Sequence, residues 1–356
     1  MKKFSLAVLT LCAAMVMTTV NAKTITDAYG RTVEVPDRIE RIACTGSGAL
    51  RIITYLEAQH MLAGIEEADK RYSNDARRDY AYVNAQAFQA LTPIGKGGGT
   101  AYTAYPEALI ATKPDVIFTG YSKEATEQLA RETGLPVVSV RYISEGFVDE
   151  SFNRALTIAG NVLNRSDRAQ ELIDFIGEIK SDLSRRTNTF ADDKKVTAYT
   201  GAVTFSGAHG FAGTYSHFGP FDAVAAKNVA DTEARTGYYE ADLEQILRWN
   251  PQVIFLDPGN LSLVKRDMDN RKEVFSALQA FKEGAVYTMP SFNNYSTNIT
   301  YCLINGYWAG KVLFPEAFSD VDMKEVSARI MTLFLGRDFY DEMARLGLYY
   351  GKLKIE

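Results

Sequence analysis

The chain has 356 residues, 46% of them apolar, enough for two domains of ordinary size. Its 44 acidic and 39 basic residues leave a net charge of −5 with no basic stripe, which argues against nucleic acid as a partner. Beyond the N-terminus no stretch approaches the roughly 20 apolar residues that a membrane-spanning helix needs.

Lys2 and Lys3 precede an apolar run from Phe4 to Val16, and Val20-Asn-Ala22 has the small residues of a cleavage site. Residues 1–22 therefore read as a secretory signal peptide. Cys12 lies inside the apolar run behind the large Leu11, which fits a plain signal better than a lipoprotein. Cleavage predicts a soluble exported protein whose net charge moves from −5 to about −7. Only Cys44 and Cys302 remain, and two buried free thiols are predicted. They fall in opposite lobes, where a bridge would oppose lobe movement.

Ile25 to Val35 reads as a hairpin turning at Tyr29-Gly30-Arg31. A strand at Arg41 to Cys44 ends in Thr45-Gly-Ser-Gly48 and feeds a helix, Ala49 to Leu56, with another strand at Ala63 to Ile65. Glu66 to Leu91 is charged, Tyr-rich and helical in part. After Gly95-Lys-Gly-Gly-Gly99 comes Ala104 to Gly120, which aligns without a gap on Ala241 to Asp257, about 137 residues later. Each copy reads helix, proline (Pro114, Pro251), then a Val-Ile-Phe strand. Proline should stop the helix and push its predecessor toward extended geometry. Leu109-Ile110 and Ile246-Leu247 should face the strand, and Glu107 and Glu244 occupy equivalent surface positions.

A helix over Lys123 to Thr133 and a strand over Val137 to Arg141 complete the first half. Residues 147–190 carry no strand signal. One helix covers Phe152 to Leu163, and a second, capped by Ser166, runs to about Thr187. The second half offers a strand at Lys195 to Tyr199 and a Gly-rich aromatic loop over 201–220. A helix over Phe221 to Ala226, the second repeat and a loop over 258–265 follow. Then come a helix over Val274 to Phe281, a strand at Ala285 to Tyr287, a loop at Phe292 to Tyr295, a helix containing Tyr301 to Leu313, and terminal helices. The duplicated unit implies an α/β fold of two Rossmann-like lobes joined by a long rigid α-helix, with a ligand cleft between them. The divisions are an N-terminal lobe over 23–146, connecting helices over 147–190 and a C-terminal lobe over 191–356.

In this order the chain resembles the class III periplasmic binding proteins of ABC importers, the group handling ferric siderophores, haem, corrinoids and some oxyanions. The resemblance is carried by Ile25-Thr-Asp-Ala-Tyr-Gly-Arg-Thr-Val-Glu-Val-Pro36, Arg38-Ile-Glu-Arg-Ile42, both repeat units and the connecting helix. Asn298-Ile-Thr and Gly306-Tyr-Trp-Ala-Gly-Lys-Val-Leu-Phe-Pro315 add to it. It implies modest closure on ligand, and docking of Glu107 and Glu244 onto basic residues of a permease dimer with its ATPase. The protein would act as a monomer with no cofactor of its own.

Backbone N–H groups at a strand-to-helix turn favour anions, which makes Ser47 in Thr45-Gly-Ser-Gly48 a cleft candidate. A nucleophilic role fails because the Gly-x-Ser-x-Gly pattern is not met. Gly97, Gly98 and Gly99 are not a phosphate loop, since no Gly-Lys-Ser/Thr ends it. Permissive backbone at a cleft rim, with Tyr102 and Tyr105 after it, fits better. The loop from Gly207 to Pro220 holds His209 and His217, which match no fixed metal spacing, and His60 is far away in sequence. Tyr215, His217 and Phe218 should instead wall a larger ligand and face Ser47 and the glycines, with His217 or Tyr215 completing the coordination of a chelated metal. Arg51, Arg71, Arg141, Arg235 and Arg266 are candidate anion partners, Arg235 foremost. Tyr295, with Phe292, Asn293 and Asn298, precedes a helix at a position that, by the family resemblance, should line the cleft. The expected function is binding and delivery of a metal chelate (siderophore, haem or corrinoid). An oxyanion such as molybdate or tungstate is the alternative, and an exported hydrolase a more distant one.

Overall fold

The computed structural model describes residues 22–143 and 146–354; apart from Ala22, the predicted signal peptide lies outside the described residues. The hairpin pairs Ala22–Thr26 with Thr32–Pro36, and Gly30 turns it at φ 75°. Two five-stranded sheets follow. The first is wholly parallel, in the order Thr92–Pro93, Leu62–Ile65, Ile42–Thr45, Val116–Thr119, Val137–Ser139. The second places Lys227–Asn228, Thr197–Gly201, Val253–Leu256 and Val286–Thr288 in parallel. Gly351–Lys352 closes it as an antiparallel edge.

The duplicated unit sits at the heart of both sheets. Pro106–Thr112 and Leu243–Trp249 are the helices, and Val116–Thr119 and Val253–Leu256 are wholly buried strands beside the first strand of each lobe. Leu109 and Ile246 are buried as expected, but Ile110 is 46% exposed. A seven-residue helix turns only one narrow face to its strand. The residues before the prolines are also not extended. Lys113 (φ 49°) and Asn250 (φ 42°) are left-handed, each returning its N–H to a carbonyl of the helix, from Ile110 or Ile246. That conformation stops the helix while still avoiding the right-handed region the following proline forbids.

The connecting helix runs Ser166–Thr187, about 33 Å at 1.5 Å per residue, and buries the stripe Leu172, Ile176, Ile179 and Leu183. Ser166 does not cap it: its hydroxyl donates to Asn161 Oδ1 (2.8 Å), and Arg165 is the boundary residue. One continuous apolar cluster passes from Ile42 and Phe118 of the first sheet through Leu172 and Leu303 to Phe255 of the second. Lobes that share a close-packed core cannot swing far apart without exposing it. Cys44 and Cys302 are both buried within this cluster as free thiols.

Two predicted loops are ordered elements. Gly213–Ser216 pairs antiparallel with Gly237–Glu240 inside the predicted loop over 201–220. Residues 258–265 begin the helix Leu261–Asn270, for which Asp257 and Pro258 open the turn. Among the described residues no helix is long and apolar enough to cross a membrane.

Candidate functional site

Both sheets point their carboxyl ends at one cleft. The order reverses between Ile42–Thr45 and Val116–Thr119 in the first sheet, and between Thr197–Gly201 and Val253–Leu256 in the second. Open α/β sheets bind ligands beyond such switch points. A cavity of about 690 Å³ lies there. From the first lobe Ser47, Gly98, Gly99 and Arg141 line it; from the second, Phe205, Asn293, Tyr295 and Ser296. Gly120 also lines it and packs so closely under the Ser47 loop that a Cβ there would fall 2.0 Å from the Ser47 carbonyl oxygen. The Ser47 N–H is already donated to the Gly99 carbonyl (3.0 Å), so this loop offers its hydroxyl more than its amide.

Arg141 is the one cationic group of the described lining, and no carboxylate pairs with it among the described residues. Its guanidinium lies beside the Tyr29 phenol, whose pKa is raised by burial and only partly lowered again by that arginine. The described lining contains no His, Cys, Asp or Glu. Its polar groups are hydroxyls, amides and glycine backbone.

Arg51, a candidate anion partner in the sequence, has no surface at all. It donates to Asp79 (3.1 Å), to the carbonyls of Asn294 (3.0 Å) and Tyr295 (3.1 Å), and to Asn298 Oδ1 (2.6 Å). Asp79 also accepts from Tyr55 and from Thr300 (2.9 Å). A guanidinium of the first lobe thus holds the loop of the second. Tyr295 crosses in turn: its hydroxyl donates to the buried Glu66 (2.5 Å) and its ring lies 4.2 Å from the Arg78 guanidinium carbon. Burial and the Glu66 charge push that phenol pKa far up. Tyr295 (φ 55°) and Ser296 (φ 74°) are both left-handed, a costly geometry for non-glycine residues that these bonds hold in place.

Of the predicted residues, Ser47, Gly98, Gly99 and Tyr295 come together in the cavity wall. Gly97 lies just behind it, where a Cβ would sit 2.8 Å from the Tyr295 hydroxyl. Tyr102 is not in the wall; it turns to the Glu132 carboxylate. Tyr215 and Phe218 form a second row with Phe292, and Asn293 Nδ2 donates to the Tyr215 hydroxyl (3.2 Å). Burial raises the Tyr215 pKa to about 12. His209 is held by Glu240 (2.8 Å) and the Phe205 carbonyl (2.8 Å), while His217 is exposed and absent from the wall. Arg235 stacks over Tyr239 at 4.8 Å, on the surface. Glu107 and Glu244 are exposed in the first turns of the two repeat helices, with no ion pair among the described residues. Sequence reasoning did not single out Phe205, Ser206 or Ile143. Their signal was position alone, since each follows a sheet strand at its carboxyl end.

Two α/β sheets, a shared core and a polar cleft at paired switch points define a two-lobed solute-binding protein. The profile of the family described as "Periplasmic binding protein" matches residues 42–292, and the chain belongs to that family. Such proteins work in transport with an ABC transporter rather than in catalysis. The molybdate-binding protein MolA of Haemophilus influenzae is 24% identical over 346 residues, 92% of this chain and 94% of MolA. A periplasmic solute-binding protein from Veillonella parvula superposes with a TM-score of 0.71 at 18% identity, covering 92% of this chain and 97% of that one. The periplasmic haem-binding protein HutB of Vibrio cholerae does so with 0.55 at 13% identity, over 77% and 99%.

Proposed function

We propose that this protein captures a metal-centred anion, foremost a chelate whose metal is already fully coordinated, and delivers it to an ABC permease. The observation that carries this reading is the cleft lining. One guanidinium with no carboxylate partner among the described residues, Arg141, stands among hydroxyls, amides and glycine backbone, with no His, Cys, Asp or Glu in the described lining. Such a wall suits charge and hydrogen-bond acceptors, and its two phenols are engaged, Tyr142 donating to the Thr297 carbonyl (3.0 Å) and Tyr295 to Glu66. The volume, about 690 Å³, lies in the range of pockets for drug-sized ligands. Ile143 (49% exposed) and Phe205 (39%) put apolar surface at the cleft from opposite lobes, as an organic chelator would require. A second reading, a bare tetrahedral oxyanion, is favoured by the similarity to MolA, which binds molybdate.

Calorimetric titration with an anionic ferric catecholate, a neutral ferric hydroxamate and molybdate tests both. The anionic chelate should bind tightest, and Arg141→Ala should weaken it at least ten-fold, about 1.4 kcal/mol. Tight binding of the neutral hydroxamate without dependence on Arg141 would overturn the reading. Preference for molybdate would select the oxyanion.

A further inference from the structure

We infer that His217, Asp222 and Asp231 form a divalent-cation site of the Zn²⁺ type on the second lobe. None of the three lines the cleft, so the inference does not rest on the ligand proposed above.

One ligand atom from each of the three side chains lies within 4.8 Å of those of the other two. Yet among the described residues no hydrogen bond or ion pair joins these side chains to one another, and no Lys or Arg pairs with either carboxylate. They converge without touching. Around a tetrahedral ion bound at about 2.0–2.1 Å, ligand atoms lie roughly 3.4 Å apart, so rotation about side-chain torsions closes the set. One imidazole nitrogen and two carboxylate oxygens are a donor set that suits Zn²⁺, with a water in the fourth position.

The frame is partly built in advance. Asp231 Oδ1 accepts from the His217 backbone N–H (2.7 Å) and from Asn228 Nδ2 (2.6 Å), which leaves Oδ2 for an ion. Outer hydrogen bonds of this kind orient ligating carboxylates. His217 has φ 54°, a left-handed conformation at the turn into Gly219–Asp222. Two carboxylates that repel each other beside an imidazole are stabilised by a shared cation. Such an ion would tie the turn at 217–222 to the segment after the edge strand Lys227–Asn228.

The test is calorimetric titration of ZnCl₂ into untagged, chelator-washed protein, with thermal melts alongside. The wild type should take one Zn²⁺ per chain and melt higher with it. His217→Ala and Asp231→Asn should each weaken binding at least ten-fold, and Asn228→Ala by a smaller factor. All three are expected to keep the wild-type circular dichroism. His209→Ala, in a histidine already held by Glu240, should bind as the wild type does. Zn²⁺ affinity unchanged in His217→Ala, or lost in His209→Ala, would overturn the site, as would a wild type that takes no Zn²⁺.

Discussion

The two lobes share a centre and differ at their rims. In each, a seven-residue helix with a left-handed stop leads through proline into a buried Val-Ile-Phe strand, and one exposed glutamate stands in the first turn. Beyond the strand ends the likeness stops. The first lobe supplies glycine loops, Arg141 and three buried acids, Glu66, Asp69 and Asp79, in a segment that also carries Arg78. The second sends Asn294, Tyr295 and Asn298 across to meet them and adds the exposed ring of Phe205. The repeated unit builds the same scaffold in both lobes, and the unlike rims give the cleft two different walls.

The largest effect should come from removing the cross-lobe cation. Arg51→Leu leaves Asp79 buried without its charge partner and frees the carbonyls of Asn294 and Tyr295. A loss of about 3–5 kcal/mol in denaturant unfolding is expected. A loss below about 1 kcal/mol would mean that the connecting helix and shared core alone hold the lobes together.

Next is pH. Burial raises the Asp69 carboxyl to about 6, with Glu66 adding and Arg78 opposing, so desolvation outweighs its 3.3 Å ion pair. The folded state then holds this proton more tightly than the unfolded one. Its contribution is complete below about pH 4 and is lost as pH rises through about 6, up to roughly 3 kcal/mol. Asp69→Asn should flatten that slope in stability measured from pH 4 to 7. An unchanged slope would assign it to another group.

The symmetric feature gives the smallest effect on the protein itself. Reversing Glu107 and Glu244 to Lys together should change stability by no more than about 0.5 kcal/mol and ligand affinity only a few-fold, because both are exposed. Transport into cells should nevertheless fail. Uptake at the wild-type rate would remove the docking role.

What was legible in the sequence follows the same division. The repeat, the helix Lys123–Thr133 and the connecting helix rest on local periodicity, which the chain writes plainly. The strand pair Gly213–Ser216 and Gly237–Glu240 did not show, because its glycines hide any alternation and its pairing is distant in sequence. Ser47, Gly98, Gly99 and Tyr295, expected at the cleft because ligands meet strand ends, do line the cavity there. Arg51 misled because burial cannot be read from one residue: its partners, at 79, 142, 294, 295 and 298, come from three separate segments. For the same reason Tyr215, His217 and Phe218, adjacent to one another, part company. Two enter an aromatic second row, while His217 is exposed outside the wall and only its backbone N–H donates to Asp231.

If the cleft holds a metal-centred anion through Arg141 and not through side-chain coordination, that anion should travel with the protein. Native mass spectrometry with an absorption spectrum, on protein purified from its own periplasm, tests it most directly. A metal-containing anion should co-purify with the wild type and with His217→Ala and be lost from Arg141→Ala. A metal ion without its own ligands in the cleft, or a neutral solute kept by Arg141→Ala, would contradict it.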